Sequence, residues 1–245
     1  MTPEETRARL LYRDGLMLVI DKPAGVTVHR GPKGGPSLED EFDALRFGLP
    51  RKPALAHRLD RETAGCLVLG RHHKALEKLG LLFKQGKISK IYWAIVAGSP
   101  DGESGAIELA LGRLDDKRGW WMKVDPTGRP ARTLWRVRGR GDWRGASIAW
   151  LELEPRTGRT HQLRVHCASQ GWPILGDAIY GERSETPLQL LARKVVVPLT
   201  KAKPSVEVEA PAPPHMLEAL ASCGFAGDRP RPEAEAASPR RDTDG

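Results

Sequence analysis

Cysteine is scarce in this sequence of 245 residues, which has three: Cys66, Cys167 and Cys223. No two of them form a C-x-x-C pair, and each lies among apolar or small residues. Because this spacing is not that of a disulfide framework, we expect three reduced core thiols in a cytoplasmic protein. We also expect no metal site, since His161 and His166 lack the i, i+4 spacing of a helical pair of zinc ligands.

The sequence also lacks an apolar run long enough to cross a membrane, which takes about 18 residues or more. Its first stretch, MTPEETRARLLYRDG, mixes acidic and basic side chains and has no apolar centre. We therefore expect neither a membrane span nor a signal peptide.

Positive charge is in excess. The chain has 39 Lys and Arg against 31 Asp and Glu, a formal net charge of +8, and a pI near 9.6. Segment 228–245 contributes four arginines and five acids, so the excess belongs to the rest of the chain. Such basicity is common among proteins, but it fits a partner with a phosphate backbone.

The length allows one sizeable core or two small lobes. Segment 228–245, DRPRPEAEAASPRRDTDG, is poor in apolar residues and rich in Pro, Ala and charge, which predicts a disordered tail. We find no internal repeat, and we assign residues 1–227 to one domain.

Apolar periodicity predicts strands mixed with short helices, which is an α+β protein. Continuous or alternating apolar runs indicate strands at 16–20, 64–70 and 87–98. Helical spacing indicates helices at 37–45, with Ser37 as the cap, and at 72–85. Between 106 and 154, strand-like runs separated by Gly, Asp and Pro predict an antiparallel meander. A short helix follows the proline-rich stretch near 211–214.

The densest charge lies between two of these runs, at His57, Arg58, Asp60, Arg61 and Glu62. Because a buried strand is predicted immediately after it, this turn should lie at a sheet edge or in a cleft. The flanking arginines favour the ionised form of Asp60, which suits a carboxylate nucleophile. The alternative is a surface ion pair that only ties down the turn.

The stretch HRLDRETAG at 57–65 resembles the HRLDxxTSG signature of RluA-type pseudouridine synthases, with Ala64 where the family usually has Ser. Three further stretches match family motifs in the same order: DKPAGVTVH resembles KPxG, KIYWAIVAG resembles KxYxAxVxG, and GRTHQLRVH matches GRTHQxRxH. GDAIYG at 176–181 then matches a GDxxYG segment, which we interpret as structural support.

This resemblance implies roles for individual residues. Asp60 would be the catalytic nucleophile, Tyr92 would stack on the target base and take part in proton removal, and Arg164 would pair with Asp60. Arg58 would fill the space left by a flipped base, and His57 would mainly buttress the loop. The residues we assign to RNA contact are Arg58, His57, Arg159, His161, Lys90 and Arg138.

The resemblance also implies a fold and an activity. The fold would be a mixed, mostly antiparallel sheet with flanking helices and a central cleft. The activity would be isomerisation of uridine to pseudouridine in a structured ribosomal or transfer RNA, by a monomer, without metal or organic cofactor. Because about fifteen residues precede the first predicted strand, we expect no S4-type RNA-binding domain.

A second group of basic and aromatic residues allows two interpretations. It could form a ribbon that faces RNA, or its tryptophans could simply be core residues of a sheet. The group comprises Arg118, Trp120, Trp121, Arg136, Arg138 and Arg140.

Two rival functions remain. One is a catalytically silent RNA-binding or ribosome-assembly factor, against which the intact Asp60, Tyr92 and Arg164 argue. The other is a glycoside hydrolase that uses Asp60 and Glu62 as paired carboxylates. These two residues share one basic turn, and no second acid lies in a matched motif.

Overall fold

The structure, a computed structural model, describes residues 2–31, 34–115, 120–200 and 204–228. Its helices are α1 Pro3–Ala8, a 3₁₀ helix Leu38–Leu45, α2 His73–Lys84, α3 Gln162–Ser169 and α4 Pro214–Ser222. Its strands are β1 Leu10–Arg13, β2 Met17–Lys22, β3 Ala54–Leu55, β4 Ala64–Gly70, β5 Ser89–Ala97, β6 Ser104–Glu108, β7 Leu111–Arg113, β8 Met122–Val124, β9 Arg132–Trp143, β10 Ala146–Pro155, β11 Leu190–Val197 and β12 Val206–Glu209.

Within the described residues, ten strands form one sheet in the order β1-β2-β4-β11-β5-β10-β9-β6, with β3 paired to β4 and β12 to β11. Only the β4–β11 pairing is parallel, and the other pairings are antiparallel. Strands β7 and β8 form a separate hairpin. The predicted α+β class, with a mixed and mostly antiparallel sheet, is confirmed.

Helices cover both faces of the sheet. On one face, Trp93, Ile95 and Trp150 pack with Leu79 of α2 and with Met216 and Leu220 of α4. The other face carries two apolar clusters, one beneath the 3₁₀ helix and one beneath α3. Tyr92 packs against both of these clusters. The gap between the two clusters is therefore where a cleft can reach the sheet.

The chain enters the sheet earlier than predicted. Helix α1 and strand β1 precede the strand that we assigned as the first. Thr2 and Glu5 form a reciprocal capping box at the start of α1. The T-x-x-E spacing was a usable signal for this helix, but its mixed charges hide any apolar periodicity. The helix predicted at 37–45 is present as a 3₁₀ helix.

The predicted meander between 106 and 154 is present in β6, β9 and β10, with two differences. The run from Ile107 to Leu111 is split between β6 and β7. A bulge in β9, opposite Trp150 and Leu151, breaks the alternation, so the arginines at 136, 138 and 140 do not form a regular row on one face. Arg118 lies outside the described residues.

The first residue of the predicted tail, Asp228, contacts residues of the predicted domain. The Asp228 carboxylate pairs with Nη1 of Arg193 at 2.6 Å and accepts the backbone N–H of Ala212 at 2.8 Å. Asp228 is thus bonded to the domain. The remainder of the predicted tail lies outside the described residues, and its disorder stays a prediction.

Cys66, Cys167 and Cys223 are all free and buried, as predicted. Burial raises the pKa of the Cys66 thiol to about 12, so this side chain behaves as a small apolar group rather than as a nucleophile. Among the described residues, no helix has the length and apolar character needed to span a bilayer.

Candidate active site

The Asp60 loop, residues 56–63, runs from β3 into β4. At its end Gly65 has φ +107, and a Cβ atom there would lie 2.3 Å from the carbonyl oxygen of Ala192. Only glycine combines this backbone conformation with such a close approach. Gly65 therefore lets β4 begin directly against β11, and that contact sets the position of the loop.

A buried lysine holds the same loop from below. Nζ of Lys22 donates to the carbonyl oxygens of Pro23 at 2.7 Å, Val26 at 2.9 Å and Arg61 at 2.9 Å. Burial lowers the pKa of Lys22 to about 8. The side chain thus joins the turn after β2 to the Asp60 loop. We had not assigned this lysine a role, although its place at the end of an apolar run was a signal.

Asp60 faces two nitrogen atoms from the start of α3. Its Oδ2 lies 3.7 Å from Nε2 of His161 and 3.9 Å from Nη1 of Arg164. Both distances exceed hydrogen-bond length, and the Asp60 side chain is 26% exposed. The carboxylate therefore lies beside an imidazole and a guanidinium without being held in a tight ion pair.

The pairing of Arg164 with Asp60 is loose, because the Arg164 guanidinium fork engages Asp177. Nε donates to Oδ2 and Nη2 to Oδ1 of Asp177, each at 2.7 Å, and the Asp177 side chain is fully buried. Burial alone would raise the pKa of Asp177, but the hydrogen bonds and charge of Arg164 outweigh it and the pKa is lowered. Only Nη1 of Arg164 remains to approach Asp60.

The GDxxYG segment thus belongs to the site and is more than structural support. Oδ1 of Asp177 also accepts the backbone N–H groups of Ile179 and Tyr180. The Tyr180 hydroxyl accepts the N–H of Met122 and lies 2.8 Å from Nδ1 of His161. An aspartate among apolar residues was a signal for these contacts that the sequence interpretation did not use.

His161, with φ +52, occupies the cap position of α3, directly after the exposed Thr160. Oε1 of Gln162 folds back to accept the Arg159 N–H at 3.1 Å and the Thr157 hydroxyl at 2.7 Å. The left-handed backbone of His161 places its ring between Tyr180 and Asp60.

Tyr92 on β5 lines the same cleft as Asp60. Burial raises the pKa of Tyr92, and the charge of Asp60 raises it further. The phenol is therefore protonated at neutral pH in the free protein.

The remaining predicted residues differ in what they contact. Nε2 of His57 accepts the Val68 N–H at 3.0 Å, and its ring lies 4.6 Å from that of Phe83, so His57 buttresses the loop. Arg58 is exposed and Lys90 half-buried, and neither side chain has a hydrogen bond or ion pair within the described part of the chain. Nε of Arg159 donates to the Pro130 carbonyl at 3.1 Å.

The cleft has a volume of about 810 Å³, which is ample for a small ligand or a single nucleotide. Eight of the nine predicted site residues line it: His57, Arg58, Asp60, Lys90, Tyr92, Arg159, His161 and Arg164. Further basic residues on its wall are Lys84, Lys87 and Arg156.

Arg138 is not brought to the cleft. Its guanidinium lies 5.9 Å from the ring of Trp150, which belongs to the core on the opposite face of the sheet. In residues 2–31, 34–115, 120–200 and 204–228, no cluster of three or more His, Cys, Asp or Glu side chains is arranged to hold a metal ion.

Comparisons with known proteins identify the family. The model of the family described as RNA pseudouridylate synthase matches residues 16–169. An uncharacterised RNA pseudouridine synthase of Zymomonas mobilis is 39% identical over 89% of this chain and 97% of that protein. The ribosomal large subunit pseudouridine synthase C of Vibrio cholerae is 31% identical over 86% of this chain and 68% of that protein. The chain spans only 51 to 61% of three other bacterial relatives.

A solved structure agrees with the sequence matches. The human RNA pseudouridylate synthase domain containing 4 superposes with a TM-score of 0.75 at 25% identity, over 91% of this chain and 95% of that chain. The fold, the family match and the relatives are consistent with one another. The chain belongs to the RNA pseudouridine synthase family, whose members are isomerases that modify RNA.

Proposed function

We propose that this protein converts a uridine of a structured RNA to pseudouridine, with Asp60 as the catalytic nucleophile. One observation carries the proposal: the Asp60 carboxylate lies in a basic cleft, near but not bonded to His161 and Arg164. The name of the Vibrio cholerae relative favours ribosomal RNA over transfer RNA as the substrate.

The reaction must exchange one bond to the sugar for another. Asp60 attacks C1′ of the ribose, the N1–C1′ bond breaks, and its electron pair remains on the uracil ring. The uracil turns so that C5 faces C1′. A C5–C1′ bond then forms as the Asp60 ester bond breaks, C5 loses its proton, and N1 gains one, so that substrate and product are isomers.

Tyr92 serves in the second half of this sequence. Its ring forms the wall on which the uracil stacks and turns. Its hydroxyl cannot act as a phenolate base in the free protein, because burial and the charge of Asp60 raise its pKa. Because the Asp60 ester has already broken when C5 loses its proton, Tyr92 takes part in that transfer through its protonated hydroxyl, as a hydrogen-bonding relay, and not as a preformed phenolate.

The target nucleotide must leave its base stack to reach Asp60, which costs a few kcal/mol. The cationic groups of Arg58 and Lys90 lie at the cleft without a hydrogen-bond or ion-pair partner in the described residues, and they offset part of this cost by contacting phosphates. Arg58, two residues from Asp60, is placed to occupy the space that the flipped base vacates. Arg159 and His161 add contacts from the start of α3.

The glycoside hydrolase alternative lacks a second carboxylate that lines the cleft and is free of an ion pair, among the described residues. Glu62 is 49% exposed, lies 3.4 Å from Nε of Arg61, and does not line the cleft. Glu154 does line the cleft, but it pairs with Arg156 at 3.0 Å. A silent RNA-binding factor would have no need for the partly exposed Asp60 carboxylate beside the His161 imidazole and the Arg164 guanidinium.

Release of tritium from RNA labelled at C5 of uridine tests the proposal, because only a pseudouridine synthase exchanges that hydrogen. We expect release by the wild type and none by Asp60→Asn, with RNA affinity changed by less than an order of magnitude because phosphate contacts dominate binding. Single-turnover release by Asp60→Asn near the wild-type rate would remove Asp60 as the nucleophile. Mapping pseudouridines in cells with and without the gene would identify the RNA.

A further inference from the structure

An exposed tryptophan lies next to the residues that surround Asp60. Trp120 is 58% exposed, and its ring centroid is 5.5 Å from that of His161 in an edge-to-face arrangement. It contacts Trp121 in the same manner at 5.7 Å. Since His161 lies 3.7 Å from Asp60, only one side chain separates Trp120 from the catalytic carboxylate.

The exposure of Trp120 is exceptional among the described residues. Trp93, Trp150 and Trp172 are buried in apolar clusters. Large apolar side chains exposed beyond a third are few, and Trp120 is the most exposed of them and the only aromatic one: the others are Leu81, Val124 and Leu217. A ring of this size left in water beside a catalytic cleft points to a ligand that covers it.

The chemistry of the surroundings indicates which ligand. The cleft beside Trp120 carries the cationic groups of Arg58, Lys90 and Arg159, which suit a phosphate backbone. Proteins that hold unpaired strands combine such a basic groove with exposed aromatic rings on which bases stack. Trp120 does not itself line the cleft, but its ring packs against His161, which does, so a nucleotide next to the target uridine can reach it.

We propose that Trp120 stacks on the base adjacent to the target uridine, so that the substrate is an RNA in which this neighbour is unpaired. The inference rests on the proposed function. A stacking contact uses the π-face that every base has, so Trp120 selects for an unpaired neighbour and not for a sequence. A base in a continuous duplex stays stacked between its own neighbours and cannot make this contact.

Affinity for defined RNAs tests this stacking without relying on turnover. The probe is a fluorescein-labelled hairpin with one uridine in an unpaired loop. Two further hairpins each lack one base, on the 5′ side of that uridine in one and on its 3′ side in the other. A fully paired duplex is the fourth RNA. The proteins are the wild type, Trp120→Ala and Trp120→Phe. Leu217→Ala is the matched control, since it removes a 43% exposed apolar side chain from α4, on the other face of the sheet.

We expect Trp120→Ala to raise Kd for the looped hairpin about 5- to 150-fold, the range for losing one base–aromatic stack. Trp120→Phe should recover much of the affinity, and Leu217→Ala should match the wild type. Removing one of the two neighbouring bases should weaken the wild type by a similar factor and leave Trp120→Ala unchanged.

Three results would overturn the stacking: equal affinity of Trp120→Ala and wild type, equal weakening of both by the abasic hairpins, or no preference of the wild type for the loop over the duplex. Tritium release separates this inference from the proposed function. At saturating RNA, the control Leu217→Ala should release tritium at the wild-type rate. A wild type that shows the stacking but releases no tritium would disprove the synthase assignment alone.

Discussion

At the scale of residues, the guanidinium that faces the Asp60 carboxylate is itself positioned by a second aspartate, Asp177. Arg164 reaches Asp60 only through Nη1 at 3.9 Å, while its other nitrogens are committed to the buried Asp177. Asp177 is in turn held by two backbone N–H groups just after Gly176, whose Cβ would lie 2.3 Å from the Pro187 carbonyl oxygen. Asp177, which does not contact Asp60, thus determines the position of the Arg164 guanidinium opposite Asp60.

This arrangement predicts that Asp177 matters for turnover. Asp177→Asn should lower kcat at least tenfold and should destabilise the fold by about 3–5 kcal/mol, because it leaves the buried Arg164 charge without its partner. Arg164→Lys should also lower kcat, since an ammonium cannot engage both oxygens of Asp177 and still face Asp60. Turnover under single-turnover conditions and urea unfolding measure the two effects.

The matched control is Asp43→Asn, which breaks an exposed ion pair with Arg46 and should cost at most about 1 kcal/mol without changing kcat. Wild-type kcat in a folded Asp177→Asn protein would show that Asp177 is not a positioning residue.

His57 predicts a dependence of stability on pH. Burial, and after it the nearby charge of Lys90, lowers the pKa of His57 to about 3, and Nε2 of this neutral ring accepts the Val68 N–H. Below pH 6.5 the unfolded chain therefore binds a proton that the folded chain does not, and stability falls as pH falls. The loss should be at most about 1.4 kcal/mol per pH unit.

His57→Gln supplies the comparison for this prediction, since the Gln amide oxygen can accept the same N–H but does not titrate. The free energy of unfolding of the wild type, measured in urea from pH 7 to pH 5, should fall more steeply than that of His57→Gln. Parallel curves for the two proteins would contradict the assignment of this proton to His57.

At the scale of elements, β9 and α4 approach too closely for any side chain between them. A Cβ at Gly139 would lie within van der Waals overlap of the Cys223 carbonyl oxygen, and one at Gly141 would meet that of Ser222. These glycines let the end of α4 sit on the sheet and cover Trp93 and Trp150. The contact closes the face opposite the cleft.

Gly139→Ala should therefore destabilise the protein by about 1–3 kcal/mol or more, because backbone atoms must shift to admit the methyl group. Gly80→Ala in α2 is the matched control. A Cβ there meets no atom within 4 Å, and alanine is the better helix former by about 1 kcal/mol. Urea midpoints that shift in opposite directions would support both assignments, and an unchanged midpoint for Gly139→Ala would contradict the close contact.

At the scale of the whole molecule, the net charge of +8 can attract an RNA backbone only through basic side chains that have no partner within the protein. The Arg58 and Lys90 side chains have no hydrogen-bond or ion-pair partner among the described residues. The Arg140 guanidinium, in contrast, bonds to Glu103 and to neighbouring carbonyls. Arg138 and Arg144 lie over Trp150 and Trp143, away from the cleft. Basic residues of the same type therefore differ in function according to the face they occupy.

The salt dependence of RNA affinity measures this difference. Arg58→Ala and Lys90→Ala should each reduce the slope of log K against log salt concentration by about 1, as expected for one lost phosphate contact. Arg144→Ala should leave the slope unchanged, and Arg138→Ala should behave like it. A reduced slope for Arg138→Ala would show that Arg138 contacts RNA, as predicted from the sequence.

Local patterns in the sequence determined much of this protein. The apolar runs at 16–20 and 64–70 identified two central strands, because a strand buried on both faces must be apolar throughout. The stretches HRLDRETAG and GRTHQLRVH identified the family, and the residues they contain do line one cleft. These features are local, since each depends on residues within about ten positions of one another.

Only the tertiary structure decided which side chains meet. Arg164 has two carboxylates within reach, and the choice of Asp177 as its tight partner depends on the turn at Gly176. Lys22 finds the carbonyl of Arg61 because β2 pairs with β4. One bulge in β9 moves Arg138 out of the simple alternation that had placed it on an RNA-facing row. Such pairings depend on strand order and register, which arise from the packing of segments far apart in the chain, and no local pattern encodes them.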